Sequence, residues 1–215
     1  MGRRARIDRT VILRASLDLA DERGLAAVTM QAVAERLGVT SMALYRHIAN
    51  KADLLDAVVE SLLMEFELPD SRLPWRQRLA ALARAARDSA KRHPEVFPLL
   101  LQRAATTPGA LRVRDAVYDA LREAGVPDNQ VPRAERLLST FVMGFAVSEA
   151  SGRFTARAVE VDADFSYLET LVFELIDRAQ ARRDREPPAR GRSRRSPAGG
   201  AASIRRKAQA DRRAR

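Results

Sequence analysis

Between positions 38 and 55 the chain reads GVTSMALYRHIANKADLL, and the side chains able to do chemistry there are Tyr45, Arg46, His47 and Lys51. A phenol, a guanidinium, an imidazole and an ammonium within seven residues supply hydrogen-bond donors and positive charge. Val39, Leu44 and Ile48 point inward from the same short stretch, so the polar groups must point out. A short helix with an apolar underside and a donor-rich outer face has the form of a helix that lies in a DNA groove.

No competing chemistry is visible elsewhere. Cysteine is absent, which removes disulfides and thiolate metal sites. The two histidines, His47 and His93, fall in separate units, and neither a glycine-rich phosphate loop nor a metal-spaced ligand cluster occurs. The acidic residues read as helix faces and as i,i+4 partners of arginine. No catalytic residue, metal site or cofactor is expected, and the chain does not read as an enzyme.

The elements that must position the 38–55 segment are helices. Every strong apolar period is near 3.6, and no run alternates with period two for long enough to make a strand. A first helix is predicted over 9–23, with Asp8 as cap, Ile7 and Ile12 as a hydrophobic staple and Gly24 as stop. Thr29 caps a second, in which Met30, Val33, Ala34 and Leu37 follow i, i+3, i+4, i+7 before Gly38. A third begins after Thr40 or Ser41 and lasts about two turns. Asn50 caps a fourth, with Asp53 in a capping-box role, running to about residue 66.

Residues 69–74 then form a hinge or linker. Beyond it, helices are predicted over 75–92, 95–103, 108–125, 129–151 and 165–181. The 129–151 segment is apolar on nearly all sides, as in a helix buried against several partners. The fold class is all-α. The expected organisation is a helix-turn-helix unit at 1–58, a helical bundle at 67–182 and a tail at 183–215.

The net charge of +10 invites a general reading as a nucleic-acid binder, but its distribution argues otherwise. Residues 182–215 hold thirteen Lys/Arg and three Asp/Glu, which is the whole excess. That tail is Arg, Ala, Pro, Gly and Ser with one large apolar residue, Ile204, and its composition predicts disorder. The N-terminus lacks the apolar core of a secretory signal, and no apolar run approaches the roughly 20 residues that span a bilayer. A cytoplasmic protein that avoids the membrane is expected.

The residues carry a specific resemblance. TMQAVAERLGV at 29–39, LYRH at 44–47 and NKADLL at 50–55 resemble the DNA-binding domain of the TetR family of bacterial repressors. Trp75-Arg76, the break at His93-Pro94, LREAG at 121–125 and FVMGF at 141–145 are similar to the C-terminal domain of its tetracycline-repressor subgroup.

The resemblance implies roles by position. Thr29 contacts a phosphate at a helix N-terminus. Ser41, Met42 and Ala43 face base edges, with Thr40 capping their helix and touching backbone. Tyr45, His47 and Lys51 hold phosphates, and Gln31 and Arg46 read base or backbone. Phosphate contacts set register and only base contacts carry sequence information.

It further implies a homodimer on a palindromic double-stranded operator and a small-molecule effector between the bundle helices. Phe97, Leu100, Leu101, Phe141 and Phe145 are the expected pocket walls, with Gln102 and Glu149 as orienting groups. The expected dimer interface comprises Gly144 with Leu168, Leu171, Val172, Leu175 and Ile176. In the tetracycline subgroup a histidine helps hold the drug's metal. No histidine follows His93 here, so the metal site is not carried over. The alternative is an architectural DNA-binding protein dominated by its basic tail, without a ligand.

Overall fold

The computed structural model describes residues 7–103 and 105–185, and among these every regular element is a helix. α1 (Arg9–Arg23) starts where the Asp8 carboxylate accepts the Val11 N–H at 2.9 Å. α2 (Met30–Arg36) starts in the same way on Thr29, whose hydroxyl oxygen accepts from the Ala32 N–H at 3.1 Å. Gly38 then turns the chain at φ +65°, in the left-handed region, while the Val39 N–H bonds the Ala34 carbonyl at 2.9 Å.

α3 (Ser41–Leu44) is a single turn, shorter than the two turns expected. The Leu44 carbonyl accepts from both the His47 and Ile48 N–H groups, at 2.8 and 3.0 Å, and closes it. The extended backbone at Asn50 (φ −164°, ψ −178°), which starts α4 (Lys51–Met64), leaves no room for more helix. The Asn50 side chain caps the Asp53 N–H at 3.0 Å. Asp53 answers to the Ala49 N–H at 2.8 Å, one residue earlier than a capping box requires.

α5 (Trp75–Arg92) follows the 69–74 connection and ends at His93, before Pro94. The predicted helix over 95–103 is instead a 3-10 turn, Phe97–Gln102, because Pro98 has no N–H to feed an i→i−4 ladder. α6 (Pro108–Glu123) and α7 (Val131–Ala150) agree with expectation in extent. α8 (Ala158–Arg185) begins seven residues before the expected Phe165. Glu160 reaches back to the Arg157 N–H at 3.1 Å, and Val161 and Phe165 are already buried, so the inward stripe starts at Val161.

One apolar cluster joins Ile12, Val33, Leu44, Leu54 and Leu62 of the first four helices to Ala86, Ala90, Phe97 and Ala146. A second packs Leu79, Leu121, Ala124, Val131 and Ile176. α7 is not buried on all sides: Leu137 is 55% exposed and Phe141 57%. The compact unit runs to Gln180. Of the expected tail at 183–215, only helical residues 183–185 are described, and the remainder lies outside the described residues.

Candidate nucleic-acid interface and interior cavity

The polar residues singled out between 40 and 51 occupy α3, the turn after it and the first position of α4. Leu44 and Ile48 are fully buried beneath them. Tyr45, Arg46, His47 and Lys51 are exposed, and among the described residues none of their side chains has an ion pair or hydrogen bond. The neighbouring Arg9 and Arg36 are spent internally. Arg36 grips Glu22 through two bonds of 2.6 Å, and Arg9 bonds the His47 carbonyl at 2.9 Å and Asp53 at 3.3 Å. Arg46, His47 and Lys51 are thus left available to a partner where Arg9 and Arg36 are not.

Met42 is 73% exposed, and Ser41 and Ala43 on either side are half-buried. Thr40 stands at the N-cap position of α3, but its hydroxyl makes no capping bond, contrary to the expected cap. The exposed hydroxyl stays available to a partner. Thr29 uses its oxygen to cap α2 and keeps its own hydrogen for an acceptor outside. Gln31 is already engaged, donating to Glu35 at 2.9 Å, so it reads a base or backbone only by breaking that bond.

Arg9 was not visible as a functional residue in the sequence. It ties the start of α1 to the turn carrying His47 and to the cap of α4, holding three pieces of the surface in register. The Ala49 N–H holds the Asp53 carboxyl below its ordinary value of 3.8, overcoming an upward push from burial, and Arg9 adds a smaller downward contribution.

Behind this surface α4 is clamped to α6. The Gly109 N–H donates to Glu60 at 2.7 Å, and Arg112 Nη2 donates to the carbonyls of Leu63, Met64 and Phe66 at 3.0, 3.1 and 2.7 Å. Those carbonyls lie at and just beyond the end of α4, where the guanidinium neutralises the negative pole of the helix. Arg103 adds an ion pair to Asp56. A Cβ on Gly109 would stand 2.9 Å from Glu60 Oε2 and 3.0 Å from Leu63 Cβ. His93 is spent nearby, its Nδ1 bonded to Asp21 of α1 at 2.7 Å.

A cavity of about 820 Å³ opens among α4 to α8 and the 97–102 turn. Phe97, Leu100 and Leu101 line it as expected. Gln102 is exposed and does not, and Phe141 points out from the opposite side of α7. Phe145 and Glu149 belong to a separate cluster. Phe145 packs on Phe154 and Phe165 with ring centroids 5.1 and 5.2 Å apart. Glu149 is bonded by Arg87 Nη2 at 2.6 Å and by Lys91 at 2.9 Å, and Arg87 also holds Asp162 at 2.6 Å. Burial pushes the Glu149 carboxyl up, but the bonds from Arg87 and Lys91 outweigh it and hold it below its ordinary 4.5.

The six expected interface residues divide. Leu168 and Val172 line the cavity and Ile176 is buried in the second core cluster, so these three are internal. Leu171 and Leu175 are exposed on the other side of α8, the latter 62%, and Tyr167 joins them. Gly144 lies on the exposed face of α7, where an added Cβ would meet nothing within 4 Å. The cavity also contains polar residues that the sequence did not single out, among them Arg114, Ser139 and Glu169.

Two family models cover most of the described chain. The model of bacterial regulatory proteins of the tetR family matches residues 12–58, and the tetracyclin repressor-like C-terminal domain matches 68–174. Tetracycline repressor protein class G of Vibrio anguillarum is 32% identical over 185 residues, covering 79% of this chain and 84% of that one. The chain belongs to the TetR family. Tetracycline repressor protein class A from transposon 1721 of Escherichia coli is 36% identical over 153 residues, 66% of each chain. The chain spans 58–66% of the length of the first curated TetR-family and related regulators it matches. Among solved structures, BioQ with its double-stranded DNA operator is 29% identical with a TM-score of 0.67, over 80% of this chain and 98% of that one. TetR-family proteins are regulators, not enzymes.

Proposed function

We propose that this chain is a ligand-responsive transcriptional repressor, acting in the cytoplasm as a homodimer on a palindromic operator. The observation that carries the proposal is the set of unpaired donors on the turn after α3 and the first position of α4, Tyr45, Arg46, His47 and Lys51, over a fully buried Leu44 and Ile48. Groups left without partners on a rigid, buttressed turn are preorganised for phosphates, and Ser41, Met42 and Ala43 lie beside them for base edges. The operator-bound BioQ structure supports the same reading of the fold.

Two recognition helices must stand about 34–36 Å apart to enter successive major grooves, which requires a two-fold assembly. Leu137, Phe141 and Gly144 of α7 and Tyr167, Leu171 and Leu175 of α8 supply an exposed apolar face for it. The division at about residues 58–67 is functional, with DNA contacts before it and effector and dimer contacts after it, although the apolar packing crosses it without a break. An effector in the cavity acts through the α4–α6 clamp and shifts the equilibrium only by binding the two states unequally.

A footprint on the intergenic region beside the gene tests this. The expected result is one protected palindrome, released by a small apolar molecule. A protein that protects no discrete site refutes the proposal. Loss of all DNA binding on truncation after residue 185 would put the architectural, tail-dominated reading in its place.

A further inference from the structure

The chain has five methionines and no cysteine, so a thioether is the only sulfur that an oxidant can reach. The four methionines among the described residues differ sharply in access. Met30 is 8% exposed in the core, and Met143 is half-buried on the cavity wall. Met64 is exposed, but it ends α4, at the opposite end of that helix from Lys51. Met42 is 73% exposed, more than any other large apolar side chain among the described residues. It also stands on α3, beside the unpaired donors of Tyr45, Arg46, His47 and Lys51.

Hydrogen peroxide converts such a thioether to a sulfoxide. A sulfur lone pair attacks one peroxide oxygen, and the S–O bond forms as the O–O bond breaks. The departing hydroxide takes the proton of the transferred oxygen and leaves as water. Sulfur is oxidised by two electrons and the peroxide is reduced by two, so no further reagent is needed. The product is a polar side chain in place of a soft apolar one. The thymine edge that an apolar side chain reads offers a methyl group and an accepting O4, and neither donates to a sulfoxide oxygen. A sulfoxide pressed against it gives up water without gaining a hydrogen bond.

We propose that Met42 is a redox-modification site: oxidation to the sulfoxide by hydrogen peroxide releases the chain from DNA, and reduction restores binding. The inference rests on the reading of Met42 at a base edge. The fold is spared, because the core beneath α3 is Leu44 and Ile48, which hold no sulfur, and Met30 is shielded by burial. An exposed sulfoxide is also open to methionine sulfoxide reductases, which return it to the thioether, one enzyme for each epimer.

Peroxide treatment of the full chain tests this, with peptide mass spectrometry to follow each methionine. Fluorescence anisotropy on a labelled duplex of the intergenic region beside the gene follows binding. Met42 oxidises before Met30 and Met143, and the bound duplex slows its oxidation without slowing that of Met64. Affinity falls about ten- to a hundredfold in step with the Met42 sulfoxide, while circular dichroism and thermal unfolding stay unchanged. The two reductases together restore it. Met42→Leu, whatever its own affinity, loses the response to peroxide, Met64→Leu keeps it, and Met42→Gln binds weakly without any oxidant.

Two ways of failing are separable. If the reduced chain binds no duplex, the DNA-binding reading falls and this inference falls with it. If the reduced chain binds but quantitative Met42 sulfoxide leaves the affinity as it was, the redox site is overturned and DNA binding stands. A response that persists in Met42→Leu, or one that the reductases do not reverse, overturns it equally.

Discussion

The first four helices and the last four solve opposite problems with the same kind of amphipathic segment. In the former, Ile12, Val33, Leu44, Ile48 and Leu54 are no more than 1% exposed, and the unpaired polar groups stand outside on α3 and its turn. In the latter, four helices and a 3-10 turn, closed by the end of α4, surround about 820 Å³ of space whose wall is mostly apolar, with Arg114, Ser139 and Glu169 among its few polar residues. Under the proposed function, the solid unit presents rigid donors to a large, stiff partner. The hollow one, under the same reading, leaves room inside only for a molecule small enough to enter. Within each unit other charges are paired internally, as in Arg36 with Glu22 and Arg87 with Glu149.

Equal truncations should expose that contrast most strongly. Leu44→Ala opens a void beneath α3 and is expected to cost about 2–5 kcal/mol in urea unfolding. Leu168→Ala, on the wall of an existing cavity, loses fewer contacts and is expected to cost about 1 kcal/mol or less. Equal costs would mean that the bundle is as tightly filled as the three-helix unit.

Next in size is the dimer. Leu137→Glu with Leu175→Glu should give a monomer in analytical ultracentrifugation and lower operator affinity about 100-fold, since the avidity of two linked half-sites is lost. A dimer that survives both charges would place the interface elsewhere. Lys51→Ala should cost about tenfold for any DNA sequence and reduce the salt slope by about one. Met42→Ala should instead alter preference at one base pair, by about 1 kcal/mol, with the slope unchanged. If both residues changed affinity uniformly, α3 would not be reading bases.

The smallest effect belongs to the Arg87 cluster. Because the Glu149 carboxyl is held below its ordinary 4.5, its ion pair stabilises the fold fully above that pH. The contribution is lost as the pH falls through the lowered value. Glu149→Gln should therefore be less stable than the parent by about 1 kcal/mol at pH 7, Arg87 retaining Asp162, and the difference should vanish in acid. A difference that shows no decline at any pH below 4.5 down to acid unfolding would assign Glu149 a packing role only.

The three-helix unit was legible because its signals are local. Asp8, Thr29 and Asn50 sit at the caps they announce, and the period of α1, α2 and α4 needs no distant partner. The length of α3 was overestimated because it is limited by the extended backbone at Asn50, not by its own residues. The bundle was harder to read for a geometric reason. α8 is apolar on two adjacent faces, and a rotation of 100° per residue separates Leu168 and Val172, on the cavity, from Leu171 and Leu175, on the surface. No local pattern says which face meets a void. Glu149 looked like a pocket group because its partner Arg87 lies 62 residues away. Glu169 and Arg114 look like ordinary surface charges until the helices are assembled.

At Gly109 the close approach of α6 to α4 has a mechanical meaning. One methyl group added there would press on both Glu60 and Leu63, so the two helices have less than a carbon atom of slack between them. A bearing with that little play does not absorb a push delivered by whatever occupies the cavity. Close-packed protein is nearly incompressible, so a displacement of the start of α6 arrives at the end of α4 almost undiminished, at the far end of the helix that Lys51 begins.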